Sequence, residues 1–326
     1  MTAPSLYPLK LDSPLHTKVW GGRRLSTIMG KQLPTDAPYG EAWEMHDTSV
    51  VVNGPLAGQT LGDLLITYGE ALIGEHNDSS EGLPLLAKLL DANDWLSIQV
   101  HPNDEQAQRL EGQPRGKTEA WIVLYAEPNA QLVIGITPGT APEVMAAAIE
   151  NGTLEEHVVY ADVQAGDVLL LEANTVHAVG PGFVIYEIQQ SSNTTYRLYD
   201  WNRAGLDGKP RELHIEKGVE VANLEYLPRI QHVPTKTISP VVTLVESRYF
   251  KSNWYHLAAQ GGAEMTLNTN DKFHALTCVG GTASVEAVGA TVEMHRGQTV
   301  MIPASVGAYT LHGTGDLIQS WQPTSS

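Results

Sequence analysis

Cysteine is almost absent: Cys278 stands alone in 326 residues. No intrachain disulfide can form, and a reducing compartment is expected. Charged side chains are also scarce, and at 17% they are too few for a coiled coil or a disordered chain. Basic residues are scarcer still, with 20 Lys+Arg against 37 Asp+Glu and a formal net charge of −17. That deficit argues against nucleic acid and anionic membrane as main partners, because both reward stripes of Lys and Arg. It leaves room for a small anion bound at a local basic cluster. Long apolar runs are missing too: stretches such as residues 168–171 fall far short of the ~20 residues that span a bilayer. The first sixteen residues carry no basic region followed by an apolar block. A soluble, cytoplasmic protein is the expectation.

What is present is punctuation. Thirty glycines and 19 prolines separate short segments rich in Val, Ile, Leu, Tyr and Trp, the pattern of an all-β sandwich or barrel. Strands are expected at 42–47, 95–100, 119–125, 131–136, 168–172, 183–189 and 196–201. The apolar positions Leu61, Leu64, Leu65, Tyr68 and Leu72 lie on one face of a helix over 60–73. Thr140 with Glu143 reads as a capping box and Asn151-Gly152 as a stop, which predicts a helix over 141–151. A further helix is expected within 211–223.

Three prolines, Pro228, Pro234 and Pro240, mark an extended connector over 224–240. The part beyond it resembles the part before. Gly166-Asp167-Val168-Leu169-Leu170-Leu171 reads like Gly297-Gln298-Thr299-Val300-Met301-Ile302, and Lys117-Thr118-Glu119-Ala120 like Lys272-Phe273-His274-Ala275. Glu119 lies 47 residues before Gly166 and His274 only 23 before Gly297. The extra stretch matches a helical insertion near 138–162. The expected organisation is mostly β: two related sandwich domains, 1–226 and 240–326, with a few helices.

Chemistry is concentrated in the first domain. Along Leu96-Ser97-Ile98-Gln99-Val100-His101-Pro102, alternation sends Gln99 and His101 to one face and Ile98 and Val100 to the other, apolar one. Glu119 leads a buried-looking strand. His177 closes Gly166-x(5)-Glu172-x-Asn174-x(2)-His177, which has the shape of the cupin motif with Glu and Asn in place of Pro and Gly. Two imidazoles, a carboxylate and an amide on successive strands suit Zn²⁺ with a position left for water or substrate, and equally accept Mn²⁺, Fe²⁺, Co²⁺ or Ni²⁺. In the second domain Ala308 stands where His177 does in the first. His256 and His274 keep the 18-residue spacing of His101 and Glu119 and are read as ordinary sandwich residues.

These segments resemble the type I mannose-6-phosphate isomerases, zinc enzymes of the cupin superfamily, in a short bacterial form. The resemblance is carried by Leu96 to Pro102, Lys117-Thr118-Glu119, His177-Ala178-Val179-Gly180-Pro181-Gly182, Gln189-Gln190-Ser191-Ser192-Asn193 with Arg197, and Tyr199-Asp200-Trp201-Asn202-Arg203. Val19-Trp20-Gly21-Gly22, Gly40-Glu41-Ala42-Trp43-Glu44 and Asn53-Gly54-Pro55 fit it as well. At Met45-His46-Asp47 the family more often has a serine.

The resemblance implies two cupin-like jelly-roll domains and one Zn²⁺ per chain held by Gln99, His101, Glu119 and His177. It implies an active-site Arg197, a pocket-lining Lys88 and a pocket carboxylate Glu187. The implied reaction interconverts mannose 6-phosphate and fructose 6-phosphate through an enediol(ate). The expected proton carrier is Lys88, its pKa depressed beside the cation, or Glu187. Ser97, Lys117 and Arg197 are the expected substrate contacts, with Arg115 and Arg203 as further phosphate candidates. A cupin isomerase of another sugar and a non-catalytic sugar-binding cupin remain open.

Overall fold

Strand alternation decides which side chains meet at the site. The computed structural model describes residues 4–235, 239–261 and 264–323. Its first sheet runs in the order Ile230–His232, Asp167–Leu171, Glu119–Ala126, Phe183–Gln190, Leu85–Ala92, Tyr39–Met45, Leu15–Gly22, with every pairing antiparallel. The three central strands are buried on both faces. Leu85, Ala87 and Leu89, Ala120 and Ile122, and Val184, Tyr186 and Ile188 point into the larger core. Leu90 and Ala92, Trp121 and Val123, and Phe183 and Ile185 point into a second one inside the sandwich. Each Leu, Ile, Val and Phe side chain among these contributes on the order of 2 kcal/mol by leaving water.

Continuing the inward parity of Leu90, Trp121 and Ile185 reaches Lys88, Glu119, Glu187 and Gln189. Polar residues at one end of otherwise apolar rows thus gather on one inner face. The opposite layer consists of Ala178–Val179, Gln131–Ile136 and Val158–Asp162, with the pair Tyr196–Tyr199 and Ile98–Val100 beside it. Helices Pro142–Asn151 and Ile215–Val221 pack behind these strands around Ile98, Val100 and Val133.

The second sandwich stacks a four-stranded sheet, Met265–Asn268, Ala308–Gly313, Thr282–Ala287 and Ala290–His295, on a seven-stranded one. The latter includes Leu9–Asp12 and Val50–Val51, so two segments from the start of the chain complete it. The internal repeat is preserved down to strand register. Leu171 opposes Glu119 in the first sandwich and Ile302 opposes His274 in the second, each strand entered through a glycine with positive φ, Gly166 or Gly297.

Several expectations are corrected. The helix over 60–73 is broken at Gly69 (φ 50°) into Leu61–Tyr68 and Glu70–Ile73. Its start carries a capping box between Thr60 and Asp63. The box read at Thr140 and Glu143 does not form, because Ala141 is the N-cap with Pro142 in the first turn and Thr140 Oγ1 donates instead to the Thr137 carbonyl. The helix within 211–223 shortens to Ile215–Val221. Part of the proline-marked connector is a strand, Ile230–His232, paired with Asp167–Leu171. Residues 236–238 of that connector lie outside the described residues.

Candidate metal centre and catalytic cavity

His101, Glu119 and His177 come from three different segments and are all but fully buried. Their ligand atoms lie within 4.8 Å of one another, and no other group of three or more His, Cys, Asp or Glu does so among the described residues. The backbone brings them together: Gln99 pairs with Arg197 across one strand pair and bridges His177 on its other side, while Glu119 opens its strand opposite Leu171.

The tautomers follow from the hydrogen bonds. His101 Nδ1 lies 2.9 Å from the Thr194 carbonyl and His177 Nδ1 lies 2.8 Å from that of Thr175. A carbonyl only accepts, so each Nδ1 carries the proton and each Nε2 presents a lone pair. Those lone pairs face Glu119, with His177 Nε2 3.2 Å from Oε1 and His101 Nε2 3.5 Å from Oε2. Neither carboxylate oxygen receives a well-directed hydrogen bond. Four electron-rich atoms thus converge in a buried place that calls for positive charge, part of which the Lys117 ammonium supplies at Glu119 Oε2 and His101 Nε2. The donor set fits a divalent N/O-binding metal.

Gln99 adjoins the set, its Nε2 3.3 Å from His177 Nε2, and turning the amide over would present its oxygen instead. Lys117 Nζ reaches Glu119 Oε2 at 2.5 Å and His101 Nε2 at 3.0 Å. Burial alone would favour protonated Glu119, but the neighbouring charge of Lys117 is the foremost cause that holds the carboxyl well below its ordinary range. Burial, with Lys117 adding to it, pushes His101 well below its usual value, so the imidazole stays neutral and ligand-competent.

Gln99 and Lys117 also line a cavity of about 290 Å³ that contains Lys18, Glu41, Lys88, Ser97, Glu187, Arg197 and Arg211. Five cations and two carboxylates make this a positive spot in a chain of charge −17. Lys88 and Glu187 are register partners on adjacent strands and pair at 2.9 Å, nearly buried. Trp121 Nε1 donates to the other Glu187 oxygen at 3.0 Å. The depressed Lys88 pKa expected from the sequence is not what the protein's own groups produce. Burial pushes it down, but Glu187 and Glu41 outweigh burial and keep the ammonium charged.

Arg197 is half-buried in this cavity; Nη1 donates to the Glu212 carbonyl at 2.9 Å and Nε meets no acceptor. Nearby Asp200 is taken by Arg203 and Arg211, and Arg197 enters no ion pair among the described residues. Arg115 and Arg203 do not join it. Arg115 is bound to the Glu81 carbonyl and carboxylate, and Arg203 to Asp94 and Asp200. Arg115 instead borders a larger depression of about 710 Å³, which also holds His46 and adjoins the cavity at Asn193 and Thr195.

Sequence reasoning assigned no role to Glu41, Lys18 or Arg211. Glu41 stood in plain view within Gly40-Glu41-Ala42-Trp43, but only the pairing of its strand with Leu85–Ala92 reveals its proximity to Lys88. Burial raises the Glu41 pKa, yet Lys88 and Lys18 outweigh it and hold it at about 2, against 4.5 ordinarily. A depressed carboxylate contributes stability that is present above its unfolded value and lost as pH falls through its folded one. Stability should therefore drop between about pH 4.5 and pH 2, with this group's share being at most about 3 kcal/mol. Glu41→Gln should flatten that part of a chemical-denaturation profile. An unchanged slope would remove Glu41 from the account.

In the second sandwich the equivalent place is filled. His274 Nδ1 lies 2.8 Å from the Tyr309 hydroxyl, and Gln319 Nε2 reaches both. His256 pairs separately with Asp316.

A double jelly roll with a buried His–Glu–His set beside a cation-lined cavity, the one such set among the described residues, defines a two-domain cupin with a candidate metal centre in its first half. Comparison with known proteins narrows the class. Residues 8–140 match the family model of the phosphomannose isomerase type I catalytic domain, and residues 241–322 that of the mannose-6-phosphate isomerase cupin domain. The mannose-6-phosphate isomerase ManA of Bacillus subtilis is 32% identical over 319 residues, covering 96% of this chain and 98% of the relative. That of Streptococcus mutans is 40% identical over 221 residues, 67% and 68% of the two chains. A crystal structure of the mannose 6-phosphate isomerase from Bacillus subtilis superimposes with a TM-score of 0.86 at 29% identity, covering 96% of this chain and 99% of that one. The chain belongs to the mannose-6-phosphate isomerase family and is an isomerase.

Proposed function

We propose that this chain interconverts mannose 6-phosphate and fructose 6-phosphate in the cytoplasm, using one Zn²⁺ per chain held by His101, Glu119 and His177 with Gln99 as fourth donor. The observation that carries this reading is the buried convergence of two Nε2 lone pairs and a carboxylate beside a cavity with an excess of three positive charges. A divalent cation at that place would supply Lewis-acid stabilisation to charge developing on the C1 and C2 oxygens of the open-chain sugar.

The side chains do the rest. Removing the proton next to the carbonyl and returning it to the neighbouring carbon requires an acid/base within reach of both, and the Lys88–Glu187 pair takes this role. The carboxylate of Glu187 accepts the proton, while Lys88 balances its charge and stabilises the enediol(ate). Lys117 keeps Glu119 ionised, and the Ser97 hydroxyl, which lies 3.4 Å from the Gln99 amide, accepts from that amide once it is turned to present its oxygen to the metal. Arg197, with Lys117 beside it, holds the phosphate, its planar fork being suited to a bidentate grip. Trp20, Leu90 and Leu96 form the apolar wall that limits water. The division into a metal-containing unit over 1–226 and a smaller unit over 240–326 is part of the proposal, with strands Leu9–Asp12 and Val50–Val51 lent by the first to the second.

Arg197→Ala is expected to retain its metal and lose roughly 10²–10³-fold in turnover of mannose 6-phosphate, the scale for removing one preorganised charge donor. Following fructose 6-phosphate by NMR alongside metal analysis checks it; wild-type turnover would sink the assignment. A panel including glucose 6-phosphate tests the substrate, and preference for another aldose phosphate would replace mannose in the reading.

A further inference from the structure

We propose that Tyr249, on the second sandwich, is a positioning residue for the segment that carries Lys117 and Glu119, acting through Asp104 and Gln190. The inference rests on the functional reading above and adds to it a task for the half of the molecule that shows no metal set among its described residues.

Tyr249 sits in the turn between strands Val241–Glu246 and Lys251–His256. The turn is pinned from both sides. Ser247 Oγ accepts from the backbone N–H groups of Tyr249 and Phe250 at 3.2 and 3.0 Å, and the Phe250 ring is fully buried in the larger core. So held, Tyr249 donates its hydroxyl hydrogen to Asp104 Oδ2 at 2.7 Å. Asp104 opens the Asp104–Glu111 helix just after His101-Pro102-Asn103.

The other Asp104 oxygen, Oδ1, accepts two hydrogen bonds, from the Gly116 N–H at 2.8 Å and from Gln190 Nε2 at 2.8 Å. Gln190 in turn accepts the Thr118 N–H on its Oε1 at 2.9 Å and donates its own backbone N–H to the Thr118 carbonyl at 3.1 Å. One carboxylate thus fixes the backbone on both sides of Lys117, immediately before Glu119. Gly116 lies so close to the helix start that a Cβ would meet the Pro102 carbonyl oxygen at 2.5 Å. The segment has a single seat. Burial works against the Asp104 carboxylate, but Tyr249, Gln190 and Gly116 outweigh it and hold it below its ordinary value. It is therefore an acceptor, as the scheme needs. Arg248 stacks over the Tyr249 ring, donates to its hydroxyl and stands 3.9 Å from Asp104 Oδ2.

Removing the tyrosine hydroxyl leaves Asp104 Oδ2 without its donor, and the carboxylate becomes free to rotate away from Gly116. The consequence falls on where Lys117 and Glu119 stand. Partners behind metal ligands typically tune affinity by about 10–100-fold.

Tyr249→Phe keeps the ring and its packing, so it separates positioning from folding. In the full-length protein, hydrogen exchange of the Gly116 and Thr118 amides should accelerate about tenfold, and Zn²⁺ measured by chelator competition should bind about tenfold more weakly. Amides of the Val300 and Leu317 core should keep their protection. Asp104→Asn should reproduce both effects, and the double variant should be no worse than Asp104→Asn alone. Unchanged exchange at Gly116, or acceleration spread evenly over the second sandwich, would overturn the proposal, as would additive losses in the double variant. The exchange readout needs neither metal nor turnover, so failure of the isomerase reading would show separately, as a protein that binds no Zn²⁺ or converts no mannose 6-phosphate.

Discussion

Replacing His177 by alanine is expected to strip the protein of its metal and, with it, of nearly all turnover. The reason lies in the geometry of three donors. His177 Nε2 faces Glu119 Oε1 at 3.2 Å, its Nδ1 anchored by the Thr175 carbonyl, and Gln99 reaches the same Nε2. Alanine removes one of the two nitrogen donors and also loosens Gln99, so two of four positions are disturbed together. The loss in metal affinity should go well beyond the roughly 10–100-fold that follows when only a partner behind a ligand is lost. Gln99→Ala should cost less, because His101, Glu119 and His177 remain. Fold stability should fall by only a few kcal/mol in His177→Ala, the scale for truncating a buried aromatic ring, so the folded variant can be analysed for metal by mass spectrometry. Stoichiometric metal and ordinary turnover in that variant would refute the ligand set.

Lys88→Met is expected to lower kcat by about 10²–10⁴-fold, the range for losing a positioned acid/base group, with little change in metal content. Lys88 and Glu187 face each other at 2.9 Å between adjacent central strands, where almost no water enters. Breaking a buried pair strands the remaining charge. Glu187→Gln should therefore be similarly inactive, and it should release Lys88 from the anion that holds its pKa up. Groups that act as a unit are not additive. The double variant should be no slower than the worse single one, and kinetics of all three over a pH range measure this. Additive losses would mean that the two residues work separately.

The sequence announced the metal-ligand candidates through local patterns and the pocket residues through resemblance, but not which of them pair across strands. Gln99 and His101 were legible because alternation with Ile98 and Val100 is a local property, and both apolar residues are fully buried. His177 was legible through its spacing from Gly166, because the strand Asp167–Leu171 and the turn after it lie between them. The internal repeat was legible too, and its register is retained between Glu119 and Leu171 and between His274 and Ile302.

Cross-strand partners were not legible. Lys88 and Glu187 are 99 residues apart in sequence, and no local pattern states that two such strands are neighbours in that register. The same blindness set Arg115 beside Lys117 as a second phosphate cation, although Glu81, distant in sequence, captures Arg115. The helix break at Gly69 was hidden for another reason: the apolar period continues through Leu72, and only the backbone conformation of the glycine interrupts it. The strands Leu9–Asp12 and Ile230–His232 were missed because pairing with strands distant in sequence leaves little trace in so few residues.

The most direct measurement is a titration of chelator-treated protein with Zn²⁺ while mannose 6-phosphate and fructose 6-phosphate are followed by NMR. No conversion is expected without metal, and activity should rise linearly and saturate at one Zn²⁺ per chain. His177→Ala should stay silent at that stoichiometry. Full conversion by the metal-free protein, or none by a protein loaded with one Zn²⁺, would overturn the one-metal isomerase.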